Sequence, residues 1–383
     1  MNKRLFTSEC VTCGHPDKVA DRISDSILDA CLAQDPLARV ACETMVTTDF
    51  CLIAGEITTT AQVDYAAVAR QAIREIGYTR PDEGFCADTA EIVCRIHTQS
   101  PDIALGTNDQ VGGAGDQGMM FGGACNQTPE LMPLPSALSR ALTSRLTQLV
   151  AVDGRLRPDG KAQVTVELDE SGKPVRVDTV VVSIMHTEEF EIEDLRAFIR
   201  QQVIAPVLQQ YGFDMEQVSH LYINPTGKFV IGGPAGDTGL TGRKIIVDSY
   251  GGYFCHGGGS FSGKDPTKVD RSGAYMARYM AKNVVAAGLA QQVQVELAYA
   301  IGVAQPVSLL VDTYGTGRIS DEALTAILWK EFDMSPAGII RTLDLRRPIY
   351  TATASGGHFG LEEGRPWERT DRAARLRTLA GLD

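Results

Sequence analysis

Apolar residues Val19, Ile23, Ile27 and Cys31 recur every four positions and predict an amphipathic helix that opens at Gly14-His15-Pro16-Asp17-Lys18. Pro16 suits the first turn, and Asp17 suits the positive end of the helix dipole. Residues 39–47 and 50–57 read as strands joined by Thr48-Asp49, and each holds one acid, Glu43 and Glu56, among apolar residues. A two-residue turn pairs position 43 with 54 and puts both acids on one face; a three-residue turn separates them. Acids in such a setting need partners, and a bound cation, an amine or a neighbouring Arg or Lys would each serve.

Residues 62–76 read as a helix and 90–96 as a strand. Residues 134–150 are helical, 164–168 and 175–183 strand-like, and 192–211 helical with Leu195, Ile199 and Val203 on one side. A short strand begins at Leu221. Residues 269–287 form another helix, followed by strands at 293–301 and 307–313 and helices near 320–331 and 335–343. Strand pairs followed by amphipathic helices thus recur about three times, which favours α+β units over one doubly wound sheet. The units are placed at 1–101, 113–230 and 232–383. The loop at 100–112 ends beside Gly112, Gly113 and Gly115 and reads as a mobile lid. The repetition is one of pattern, without a residue-level repeat or a low-complexity linker.

A chain of 383 residues with 44% hydrophobic content has room for two or three ordinary domains. A net charge of −12 argues against nucleic acid or an anionic membrane as partner. There is no apolar run of about 20 residues to span a bilayer and no apolar signal-peptide core, so the expected location is cytoplasmic. Nine scattered cysteines fit reduced thiols, and Cys10-x-x-Cys13 lacks the second pair that a structural zinc needs.

Against that acidic background, residues 257–270 read Gly-Gly-Gly-Ser-Phe-Ser-Gly-Lys-Asp-Pro-Thr-Lys-Val-Asp. Glycines leave backbone N–H groups free to approach an anion. Lys264 and Lys268 add positive charge, and Asp265 and Asp270 add carboxylates able to hold a metal ion. Such a mixture suits a polyphosphate carrying Mg²⁺. It is not a P-loop, because Asp265 stands where that motif needs a Ser/Thr hydroxyl. The start of the first helix, with His15, Asp17 and Lys18, is a second place for phosphate. A second glycine-rich stretch, residues 232–244, ends in Thr-Gly-Arg-Lys.

Together these stretches resemble the S-adenosylmethionine synthetase family. The resemblance rests on Gly14-His-Pro-Asp-Lys, Glu43, Gly55-Glu56-Ile57-Thr, Gln99-Ser-Pro-Asp and Gly113-Ala-Gly-Asp-Gln-Gly. It continues through Gly232-Gly-Pro, Leu240-Thr-Gly-Arg-Lys-Ile-Ile-Val-Asp, the glycine cradle, Ala300-Ile-Gly-Val-Ala and Gly357-His-Phe-Gly. It implies three pseudo-symmetric β-α-β-β-α-β type units, with sheets on one side and helices on the other. It implies synthesis of S-adenosylmethionine from ATP and L-methionine, then cleavage of the tripolyphosphate. It further implies two Mg²⁺ and a K⁺, and a homo-oligomer, a dimer of dimers, with active sites between subunits. By residue, it places His15, Lys161, Arg243, Lys244, Lys264 and Lys268 against the phosphates. Asp116, Asp159, Gly160, Lys228, Phe229, Asp237 and Ser260 complete the ATP site, and Glu56, Gln99, Asp237 and Lys268 meet methionine. Asp17 and Asp270 would hold Mg²⁺ and Glu43 K⁺.

Those residue types suit the reaction. A thioether sulfur attacks with a free lone pair and needs no base, so catalysis reduces to alignment and stabilisation of the charge growing on the leaving triphosphate. Cys13, Gly123, Lys228, Ser355-Gly356 and the shorter 100–112 loop depart from the family pattern. They are expected to bear on kinetics, adenosine contacts and subunit packing. Two other readings share the cradle: a different ATP-dependent phosphotransferase or ATPase, and a non-catalytic nucleotide-binding subunit.

Overall fold

A computed structural model describes residues 4–98, 113–361 and 364–382. The fold is α+β. Its described strands form three sheets, two mixed and one antiparallel, and a hairpin followed by a helix appears in each. In the first, strands β2 (Arg39–Thr47) and β3 (Phe50–Thr58) make a hairpin, helix α2 (Tyr65–Ile76) crosses over, and β4 (Glu91–His97) returns parallel to β3. In the second, β6 (Leu156–Leu168) and β7 (Pro174–His186) form the hairpin. The crossover runs through Ile192–Ile199, a π turn and Ala205–Gln210 to parallel β8 (His220–Ile223). In the third, β10 (Gln292–Tyr299) and β11 (Ser308–Asp312) are followed by a helix at Asp321–Glu331.

A long helix precedes each hairpin: α1 (Pro16–Leu32), α3 (Leu134–Val150) and α4 (Val269–Ala286). The strand before each of these helices pairs elsewhere. Strand β1 (Arg4–Val11) joins β6 of the second sheet, β5 (Gly118–Cys125) joins β10 of the third, and β9 (Gly239–Leu240) joins β2 of the first. This cyclic exchange of strands ties the three units into one body.

Neither β1 nor β5 stands out in the hydrophobic pattern. β5 carries Gly122 and Gly123 where a Cβ would collide with the Ala277–Arg278 backbone of α4 and with the Phe254 ring. Packing of a helix directly on a strand, rather than β propensity, set those residues. Helix α4 is almost wholly buried, and its charged residues are paired inside: Arg271 with Asp25, and Arg278 and Lys282 with Glu368. A buried charge is tolerable only with such partners.

Candidate active site

Pro16 opens α1, and His15 caps it. The His15 Nδ1 accepts the Asp17 backbone N–H at 3.2 Å. Both residues are buried. Asp17 Oδ1 accepts the Leu240 N–H at 3.0 Å, and its other oxygen accepts from the Lys244 ammonium at 2.5 Å; Arg243 lies 3.9 Å away. Burial works to raise the Asp17 carboxyl, but the Lys244 bond and the Leu240 amide outweigh it and hold its pKa below the usual value. Burial first, then the charges of Lys244 and Lys161, push the His15 imidazole down to about 3. The ring is therefore neutral at pH 7, and with Nδ1 accepting, its proton sits on Nε2. Grouped by sequence with Lys and Arg against the phosphates, His15 is here a neutral donor.

Beside it, Asp159 is buried next to Lys161 on β6. One carboxylate oxygen accepts the Gly233 N–H at 2.8 Å, and the other has no hydrogen-bond partner. Burial pushes its pKa up to about 6, with the Gly233 bond and Lys161 opposing. Gly160 lies against Ser183 and Ile184 of the next strand. Asp237 is exposed, but its charge reaches Asp159. Phe229 is half-buried over Gly232, with exposed Lys228 beside it, and its backbone exchanges hydrogen bonds with His186.

A second group gathers around the glycine cradle. Lys264 pairs with Asp270 at 2.7 Å. The turn joining β2 and β3 has two residues, so Glu43 lies opposite Ala54, Glu56 opposite Ala41, and both acids share one exposed face. Loss of hydration raises the Glu43 carboxyl; Lys264 works against that shift and Glu56 adds to it. Ser260 packs on Gly242, the residue before Arg243, so the two loops touch. Lys268 is held at 2.5 Å by Asp265.

Asp265 itself does not fit a metal ligand. It is wholly buried, and its oxygens are taken by the Val40 N–H, the Thr267 N–H and hydroxyl, and Lys268. This corrects the reading of Asp265 as a metal-holding carboxylate: it pins the cradle to β2. Asp116 is exposed, and its carboxylate accepts the Gln117 N–H. Gln99 and the lid at 100–112 lie outside the described residues.

Thus Asp17, Lys161, Arg243 and Lys244 form one charged group around the neutral His15, with Asp159, Asp237 and Phe229 alongside. Lys264, Lys268, Asp270, Glu43 and Glu56 form another. Among the described residues, no side-chain hydrogen bond or ion pair joins a member of one to a member of the other. Nor do three His, Cys, Asp or Glu side chains gather closely enough to hold a metal ion.

Comparison with known families covers nearly the whole chain. Residues 3–101 match the N-terminal domain of S-adenosylmethionine synthetase, 111–229 its central domain and 231–369 its C-terminal domain. The chain belongs to the S-adenosylmethionine synthetase family. It is a methionine adenosyltransferase, forming S-adenosylmethionine from ATP and methionine.

Three of the synthetase's departures have a visible setting. Cys13 and Ser355-Gly356 line one cavity of about 600 Å³ between α3 and the C-terminal segment. Gly123 is the residue against which the Phe254 ring packs. Residues that the sequence reading passed over include Asp21, Asp25 and Arg271, all buried beneath the two loops. Their signal was present, since Asp17, Asp21, Asp25 and Asp29 recur every four residues along α1. No helix among the described residues is long and apolar enough to cross a membrane.

Proposed function

We propose that the methionine sulfur attacks C5′ of ATP while the two basic groups hold the triphosphate, and that the tripolyphosphate is then hydrolysed to phosphate and diphosphate. The reading is carried by one observation: two cations are held in place by carboxylates, Lys244 by Asp17 beside a neutral histidine donor and Lys264 by Asp270 in the glycine cradle.

In the first step the sulfur lone pair forms the S–C5′ bond, and the C5′–O bond electrons leave with the triphosphate. Sulfur becomes a sulfonium, and no proton moves. The chain's work is therefore to align the reactants and to meet the growing charge. Lys161, Arg243, Lys244, Lys264 and Lys268 lie along the phosphates, and the His15 Nε2–H donates to an oxygen without bringing a charge. Each such donor is worth about 3 kcal/mol of barrier where it meets charge that develops in the transition state. Phe229 stacks on the adenine, with Asp116, Asp159, Gly160 and Lys228 around the nucleoside and Ser260 in the cradle. The unpartnered oxygen of Asp159 is an acceptor suited to a ribose hydroxyl. Glu56, Gln99 and Asp237 take the methionine ammonium, and Lys268 its carboxylate.

Asp17 and Asp270 offer hard carboxylate oxygens of the kind that share Mg²⁺ with phosphate, and Glu43 would hold K⁺. Bound there, these ions would neutralise phosphate charge. The two separate groups within one protomer favour an active site completed by a second copy, in a dimer or a dimer of dimers. All nine cysteines are free thiols, which suits a reducing cytoplasm.

The test is incubation of the purified protein with ATP, methionine, Mg²⁺ and K⁺, followed by mass identification of products. S-adenosylmethionine, phosphate and diphosphate are expected, all dependent on methionine. Release of ADP without methionine would instead mark a phosphotransferase or ATPase, and ATP binding without turnover a regulatory subunit.

A further inference from the structure

Helix α1 presents a carboxylate at every fourth position, and the side chains at i and i+4 lie on one face, about 6 Å apart along the axis. Each carboxylate receives a backbone N–H from far along the chain: Asp17 and Asp21 from the segment at 240–242, Asp25 from the glycine cradle and Asp29 from residues 350–351. Asp17 takes Leu240 at 3.0 Å, Asp21 takes Gly242 at 2.8 Å and Asp25 takes Gly263 at 2.8 Å. Asp29 takes Tyr350 at 3.0 Å and Thr351 at 2.7 Å. Between the rungs, the Ser24 hydroxyl meets the Thr241 hydroxyl at 2.8 Å. Asp21 and Asp25 are fully buried, and each is braced from the far side. Lys18 sits 2.9 Å from Asp21 and 2.5 Å from Asp248, while Arg271 grips Asp25 with two bonds of 2.7 and 3.0 Å. Arg271 also donates to the Lys264 carbonyl at 3.2 Å.

We propose that Asp21 and Asp25 are positioning residues: Asp21 sets the loop that carries Arg243 and Lys244, and Asp25 sets the loop that carries Lys264. This deepens the function proposed above, because it rests on Lys244 and Lys264 facing the polyphosphate. Backbone N–H bonds from Gly242, just before Arg243-Lys244, and from Gly263, just before Lys264, received by a rigid buried helix, fix where the cations can reach. Misplacement by about 1 Å can cost on the order of a hundredfold in rate. Asp29 is an internal control, because it holds its loop by the same bonds but that loop carries none of the phosphate-facing cations.

The experiment uses the full chain and measures kcat and KM for Asp21→Asn, Asp25→Asn and Asp29→Asn, alone and combined with Lys244→Ala or Lys264→Ala. Asn keeps an acceptor for the N–H but loses the charge that meets Lys18 or Arg271. Asp21→Asn is expected to lower kcat by about 10- to 100-fold, and by less than about threefold once Lys244 is already Ala, while retaining its full effect beside Lys264→Ala. Asp25→Asn is expected to show the reverse selectivity, and Asp29→Asn to change kcat by less than about threefold. Ser24→Ala for the first loop and Tyr275→Phe, whose hydroxyl accepts from the Arg271 Nε at 2.9 Å, for the second are put through the same cycles if an Asn variant does not fold. Losses that add equally in both backgrounds, or an Asp29 effect as large as the others, would reduce the ladder to fold stability and overturn the proposal. A wild type without methionine-dependent turnover would overturn the function reading, and this inference with it. Normal wild-type turnover with additive cycles would overturn this inference alone.

Discussion

Histidine among lysines in a proposed phosphate site invites the assumption of positive charge, but burial and the charges of Lys244 and Lys161 keep His15 neutral. Its folded pKa is about 3 against an unfolded value near 6.5, so between those values the unfolded chain binds the extra proton. This contribution to stability is full above about pH 6.5 and is lost as pH falls toward 3. His15→Gln should therefore flatten the fall in unfolding free energy on acidification from about pH 7 to 4, read by urea melts. An unchanged slope would mean that the ring is charged. Lys264 and Lys161 belong to a different test. Lys264→Ala and Lys161→Ala should each lower kcat by at least about a hundredfold while leaving KM for methionine within a fewfold. Near-normal turnover at saturating substrates would remove that residue from the phosphate site. Residue type alone made these candidates legible. It did not separate Asp265 from Asp270, because the difference lies in burial against β2, a contact across more than two hundred residues of chain.

At the scale of elements, the cradle depends on backbone geometry that only glycine tolerates. Gly263 has φ of +79°, and a Cβ there would strike the Cys42 carbonyl oxygen. Gly263→Ala should cost about 1–3 kcal/mol in stability and displace Lys264, lowering both the melting temperature and kcat. Retention of both would show that the cradle adapts. The β2–β3 hairpin carries its own test. Glu43 and Glu56 crowd one face with Lys264 nearby, an arrangement that suits a monovalent cation. Wild-type turnover should rise with K⁺ more than with Na⁺, and Glu43→Gln should lose that response while its circular dichroism spectrum stays unchanged. A wild type indifferent to K⁺ would remove the site. The hairpin and the helices were readable because period-2 and period-4 patterns are local, whereas the turn length stayed open between two residues and three until the register paired Glu43 with Ala54. β1 and β5 were not, because their partners lie far along the chain and packing against α4 chose glycines for β5.

On the scale of the whole molecule, three hairpin–helix units could be counted from the sequence, but not the cyclic exchange that passes β1, β5 and β9 to neighbouring sheets. A hydrophobic pattern specifies which face is buried, not which strand lies beside it. The exchange nevertheless shapes the site. It brings Lys161 of the second sheet beside the start of α1, while the cradle pairs with β2 through Lys264 opposite Ala41. Asp17 and Asp25 are about 12 Å apart along α1, one beneath each group. If one polyphosphate must meet both groups, and a second copy supplies one of them, then defects in different groups should complement. Lys244→Ala and Lys264→Ala homo-oligomers are each expected to be nearly inactive. Co-expressed and purified together, without separating mixed from unmixed assemblies, they should recover up to about a quarter of wild-type activity. In a two-site dimer, half the assemblies are mixed, and in each of those one site draws both groups intact while the other has lost both. Activity that stays at the level of the separate variants would mean that each protomer builds its site alone, and the two groups would then have to meet through movement within a single chain.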